Sequence, residues 1–75
     1  MSAEIRAEMV AQVHSVLVEP GTSVSAGDTL MLLESMKMEI PVQAESGGVV
    51  ADIAVSAGDV VHEGDLLVTL VGGAS

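Results

Sequence analysis

The chain contains one segment twice. Sliding the sequence against itself by 37 positions aligns residues 5–33 with residues 42–70 without a gap. Ten of the 29 aligned pairs are identical: Ala7/Ala44, Glu8/Glu45, Val13/Val50, Val18/Val55, Gly21/Gly58, Val24/Val61, Gly27/Gly64, Asp28/Asp65, Leu30/Leu67 and Leu33/Leu70. About two identities would arise by chance at ordinary composition. The match is therefore a structural repeat, and the fold must hold two equivalent halves joined through residues 34–41.

Each copy reads as β-structure. Val13, Val16 and Val18, like Val50, Ile53 and Val55, lie in β-branched runs bounded by turn residues. Gly27-Asp28 and Gly64-Asp65 suit tight turns, the glycine supplying positive φ and the aspartate bonding its own backbone. Pro20-Gly21 and Ala57-Gly58-Asp59 mark a second turn in each copy. No stretch carries a sustained helical period with caps. Pro41 restricts the strand after Lys37 to an edge or an end position. The expected architecture is all-β: two small antiparallel sheets, related by a pseudo-twofold axis, closing as a flattened barrel with few free edges. A single domain over residues 1–75 is expected, with residues 1–3 and 72–75 frayed.

Composition narrows the function. A chain of 75 residues without cysteine has neither disulfides nor thiolate metal sites to supplement a small core. Eleven acids against two bases disfavour nucleic acid and anionic membranes, and mostly keep an apolar chain soluble. The absence of Phe, Tyr and Trp removes stacking platforms for bases or sugars. The amino terminus has no signal-peptide pattern, and the apolar clusters are far shorter than a membrane span. A cytoplasmic, monomeric protein is expected. His14 and His62 share no repeat offset and have no Cys or His neighbour, so no metal site is expected. With no nucleophile–base constellation and no phosphate-cradling glycine loop, the chain is expected to have no catalytic residues and not to be an enzyme by itself.

The joint between the copies reads Glu34-Ser35-Met36-Lys37-Met38-Glu39-Ile40-Pro41. It lacks Gly, Asn or Asp before Glu39, so a tight hairpin here would break ordinary turn chemistry. Local rules are broken most often at functional or strained positions. Lys37 is the only lysine of the chain. Stepping 37 residues from it in either direction reaches a chain terminus. The pseudo-twofold therefore sets Lys37 at one end of the barrel and both termini at the other.

Met36-Lys37-Met38, centred between two β-repeats, resembles the attachment signature of the biotinyl (biotin/lipoyl attachment) domain family, and the chain looks like a stand-alone biotin carboxyl carrier. The resemblance covers residues 5–71 and includes the paired segments Val24-Ser25-Ala26-Gly27-Asp28 and Val61-His62-Glu63-Gly64-Asp65. It implies a flattened antiparallel barrel of two four-stranded sheets, with Lys37 exposed at a hairpin tip. It also implies covalent biotin on Lys37, attached by a biotin protein ligase, and a carboxyl group carried as carboxybiotin between biotin carboxylase and carboxyltransferase active sites. Met36 and Met38 are implied as recognition residues for the ligase, with Glu34 and Glu39 as weaker candidates. The chemistry would belong to the cofactor, and the protein would supply a mount and a tether.

Two departures from the family pattern stand out. Ser35 replaces the more usual Ala before Met36, keeping a small residue. The turn Glu8-Met9-Val10-Ala11 lacks the usual Pro and Gly, which its partner Ser46-Gly47-Gly48 retains as glycines. Lipoate is the alternative cofactor, although lipoyl domains usually show Asp-Lys-Ala at this position. An unmodified barrel acting as an interaction module is a third reading, in which Met-Lys-Met has no evident purpose.

Overall fold

A computed structural model of the chain describes residues 2–72. Eight strands follow one another: β1 (Ser2–Arg6), β2 (Ala11–Val16), β3 (Ser23–Val24), β4 (Thr29–Ser35), β5 (Met38–Gln43), β6 (Gly48–Ile53), β7 (Val60–Val61) and β8 (Leu66–Gly72). They form two antiparallel sheets of four, ordered β1-β8-β6-β3 and β5-β4-β2-β7. The 37-residue offset turns β2, β3 and β4 into β6, β7 and β8 with matching ends, and turns one strand order into the other. The expected pseudo-twofold sandwich is the fold observed.

The equivalence extends to single hydrogen bonds. Ala7 N donates to Asp65 O and Ala44 N to Asp28 O, each at the position its counterpart occupies in the other half. Leu17 N to Leu30 O matches Ala54 N to Leu67 O, and Gly21 N to Val50 O matches Gly58 N to Val13 O. In the turn 25–28 the N–H of Asp28 bonds Ser25 O at 3.0 Å, while Asp28 Oδ2 accepts from Ser25 N at 2.8 Å. His62 and Asp65 repeat the scheme at 3.0 and 2.9 Å. Gly27 and Gly64 carry the φ of +92° and +91° that these turns need at their third residue. Gly has the role expected of it, and each Asp side chain closes its turn by accepting from the backbone three residues earlier, not from its own.

The core is wholly aliphatic. Ala7, Ala11, Val13, Val24, Leu30, Met31, Leu33 and their partners from the second half fill the space between the sheets. No polar or charged residue is buried among the described residues. The central strands β4 and β8 share the same run of buried positions, and each departs from simple alternation. Leu30 and Met31 are both fully buried although adjacent, as are Leu67 and Val68. The cause is a bulge. Thr29 faces Gln43 and Met31 faces Val42, so Leu30 is the extra residue on β4; Leu67 is the extra residue on β8 by the same count. Each bulge lets two neighbouring side chains enter the core, adding apolar volume to a small domain.

Two boundary expectations are corrected. Ser2 and Ala3, expected to fray, pair with Val71 and Leu70, and Gly72 faces Gly48. Ladder hydrogen bonds hold these ends because β8 lies between β1 and β6. Met1 and residues 73–75 of that expectation lie outside the described residues. The copies also do not stop at residues 33 and 42. β4 runs to Ser35 and β5 begins at Met38, which reduces the joint to two residues. Pro41 lies within β5, opposite Leu32. Its missing N–H is tolerated because β5 is an edge strand.

The turn at Glu8 and Met9 follows the same course as its partner at Glu45 and Ser46, without the Pro and Gly. The glycines matter one step later. A Cβ on Gly48 would lie 2.6 Å from Val71 O, so only glycine lets β6 pair down to Gly72. Ala11 occupies the equivalent place, and the β2–β4 ladder begins one residue on, at Gln12 and Glu34.

Candidate functional site

The hairpin between β4 and β5 has Ser35 facing Met38, leaving Met36 and Lys37 as a two-residue loop. Both central residues are left-handed, with φ of +54° and +66°, and among the described residues no other non-glycine has positive φ. This is the shape of a type I′ turn, the connection whose twist suits paired strands and which Asn-Gly normally fills. An L-residue with a Cβ held there costs about 1–2 kcal/mol. Two such residues in sequence persist because the flanking ladder leaves the chain no other route. Glu34 faces Glu39, Leu33 faces Ile40 and Leu32 faces Pro41, while Leu33 is anchored in the core at 3% exposure.

The strain has a geometric consequence. Met36 is 90% exposed, Met38 is 61% exposed, and Lys37 between them is exposed as well. Neither methionine fills the core; among the described residues that use of methionine belongs to Met31 alone, at 0% exposure. The lysine also makes no close salt bridge among the described residues. Among the described residues Arg6 pairs with Glu4 at 2.7 Å, and the imidazoles of His14 and His62 lie 3.7 Å from Glu39 and 3.8 Å from Asp65. Lys37 enters none of them. The other fixed cation is tied down, since Arg6 also donates from Nη1 to Gly64 O at 2.9 Å. One primary side-chain amine therefore stands in water at the end of a rigid ladder.

Glu34 and Glu39 are exposed and directly opposed just below the tip. Like charges so placed repel, and His14 Nε2 lies near Glu39 Oε2 from across the sheet. The sequence had suggested no neighbour for His14, because β2 and β5 are not adjacent in the chain or in the sheet. His62 sits in the turn 62–65, in the half of the chain without Lys37. Among the described residues no group of three or more His, Cys, Asp or Glu is placed to hold a metal. The structure thus gathers Glu34, Met36, Lys37, Met38 and Glu39 at one tip, and adds His14 to them.

The pseudo-twofold carries the facing pair Glu34 and Glu39 onto Val71 and Ser2. The place equivalent to the base of the Lys37 tip is therefore where β1 and β8 pair through Ser2 and Val71.

Comparison with known proteins agrees with this geometry. Residues 2–70 match the family described as biotin-requiring enzyme, and the chain belongs to that family. It is 50% identical over 70 residues to the biotinylated protein TB7.3 homolog of Mycobacterium leprae, covering 93% of this chain and 99% of that one. It is 40% identical over 63 residues to the biotin/lipoyl attachment protein of Bacillus subtilis, covering 84% and 86%. Among solved structures it matches the urea carboxylase of Kluyveromyces lactis with a TM-score of 0.89 at 31% identity, over 95% of this chain and 6% of that one. The lipoyl domain of the Azotobacter vinelandii 2-oxoglutarate dehydrogenase complex matches with a TM-score of 0.77 at 28% identity, over 93% and 99%.

Proposed function

We propose that the chain is a biotin-accepting carrier domain and that Lys37 Nζ is the attachment point. The observation that carries this reading is the exposed, unpaired lysine on a strained two-residue hairpin between matched halves. The local sequence favours biotin over lipoate, since both residues flanking the lysine are methionine. The names of the relatives favour it too, a biotinylated protein being 50% identical over nearly its whole length.

The residues at the tip fit covalent attachment. An amide bond forms when the neutral amine attacks an acyl-adenylate, the nitrogen losing a proton and adenylate leaving. No carboxylate lies within 4.0 Å of Lys37 among the described residues. The described residues therefore place no base against that amine, and a biotin protein ligase would supply it. Met36 and Met38 flank the amine and would be covered by the ligase at the moment of transfer. Glu34 and Glu39 would meet its rim, where a basic surface complements them.

Once attached, biotin supplies carboxyl-carrying chemistry, and the protein keeps that group close to successive sites. Biotin carboxylase and carboxyltransferase subunits are the proposed partners, because this chain matches a small part of a urea carboxylase. The rigid ladder would fix the root of the tether while the lysine side chain supplies its swing. Within this reading the chain has no catalytic residue, acts as a monomer and works in the cytoplasm.

Intact-mass spectrometry of the chain produced with a bacterial biotin protein ligase and biotin tests the reading. A single biotinyl adduct, captured by streptavidin, is expected. A lipoyl adduct in cells supplied with both cofactors would replace biotin by lipoate. No adduct under either condition would leave the unmodified interaction module as the correct reading.

A further inference from the structure

The five methionines of this chain are not equivalent. Met31 is sealed in the core at 0% exposure and Met9 is 42% exposed, whereas Met38 and Met36 reach 61% and 90%. The two most exposed of these four are the immediate neighbours of the only lysine. Oxidation of a thioether requires access to its sulfur, so the fold sorts the methionines by reactivity.

We propose that Met36 and Met38 form an oxidation site that controls acceptance of biotin by Lys37. The proposal rests on the reading of Lys37 as the attachment point. The oxidant is a peroxide. A sulfur lone pair attacks one peroxide oxygen, the O–O bond breaks as the S–O bond forms, and the departing hydroxide takes up the proton and leaves as water. Sulfur is oxidised by two electrons and the peroxide is reduced by two. A methionine sulfoxide reductase reverses the change.

The consequence follows from where the sulfurs stand. On a two-residue turn, side chains beside the acylated amine cannot avoid the enzyme that closes over it. Unoxidised, each presents a flexible apolar arm suited to an apolar wall. The sulfoxide adds a polar oxygen that must be desolvated in the same contact. The fold itself is spared. Met36 makes no core contact, and Met31, whose oxidation would open the core, is shielded. The switch would therefore act on unmodified protein and leave the sandwich intact.

The test treats the purified 75-residue chain with graded hydrogen peroxide, maps the oxidised residues by peptide mass, and measures initial biotinylation rates with a bacterial ligase, biotin and ATP. Oxidation is expected in the order Met36, Met38, Met9, with Met31 spared. The biotinylation rate is expected to fall about tenfold when both tip sulfurs are oxidised, and to recover after reductase treatment. Met9→Leu should retain the full peroxide sensitivity. The Met36→Leu, Met38→Leu double variant, compared with itself before and after peroxide, should lose it. An unchanged rate with both sulfurs oxidised, or preferential oxidation of Met9 or Met31, would overturn the proposal while leaving Lys37 as the acceptor. Failure of the untreated chain to take biotin would overturn both.

Discussion

Lys37→Arg is expected to abolish biotinylation while leaving the sandwich folded. Arginine preserves the positive charge and much of the side-chain length, so the exposed tip keeps its electrostatics. Its guanidinium stays protonated until above about pH 12 and presents no free amine. The residue is exposed and joins no ion pair among the described residues, so stability should change by less than about 0.5 kcal/mol. The strained φ is met by one L-side chain as by another. Intact mass with and without ligase reads the first effect, and urea denaturation followed by circular dichroism reads the second. Residual biotin on the variant would place the acceptor elsewhere on the chain.

Leu67→Ala acts from the opposite direction. Leu67 is fully buried on β8, in the sheet that does not carry Lys37. Truncating a buried leucine costs about 2–5 kcal/mol, according to how far the surroundings collapse. A core of this size, with neither disulfide nor metal, rarely supplies more than about 3–5 kcal/mol in total. The variant should therefore be largely unfolded at room temperature, with its loss of β-signal visible by circular dichroism. Its Met36-Lys37-Met38 is untouched. Biotinylation should nonetheless fall in proportion to the unfolded fraction, if presentation by the fold is what makes the lysine an acceptor.

Most of this architecture is written in the duplication. Ten identities at one offset implied two equal halves, and the two halves placed Lys37 opposite the termini. The Gly-Asp steps gave the turns, and Pro41 limited β5 to an edge or an end position, of which the structure has the edge. What the sequence hid has physical reasons. Bulges at Leu30 and Leu67 have no residue signature, because they arise from register between strands and not from local preference. The left-handed pair Met36 and Lys37 runs against propensity, so the ordinary signs of a tight turn were missing at the tightest turn of the site. Pairing of Ser2 with Val71 joins the two ends of the described chain, a contact no local window can contain. The approach of His14 to Glu39 crosses from β2 to β5, which are not neighbours in the sheet. At the site itself the residues were legible, and the missing turn residues signalled a broken local rule without telling which two residues are left-handed.

That strain bears on how a ligase would find its target. A free peptide visits two consecutive left-handed residues rarely, at about 1–2 kcal/mol each, while the folded chain holds them permanently. The population difference is on the order of a hundredfold.

Initial biotinylation rates of the whole chain and of an excised peptide spanning residues 34–40, at equal concentration with one ligase, decide whether the matched halves create the acceptor. The folded chain should be modified faster by about two orders of magnitude. Equal rates would mean that the tripeptide alone is read, and that the strained joint contributes nothing.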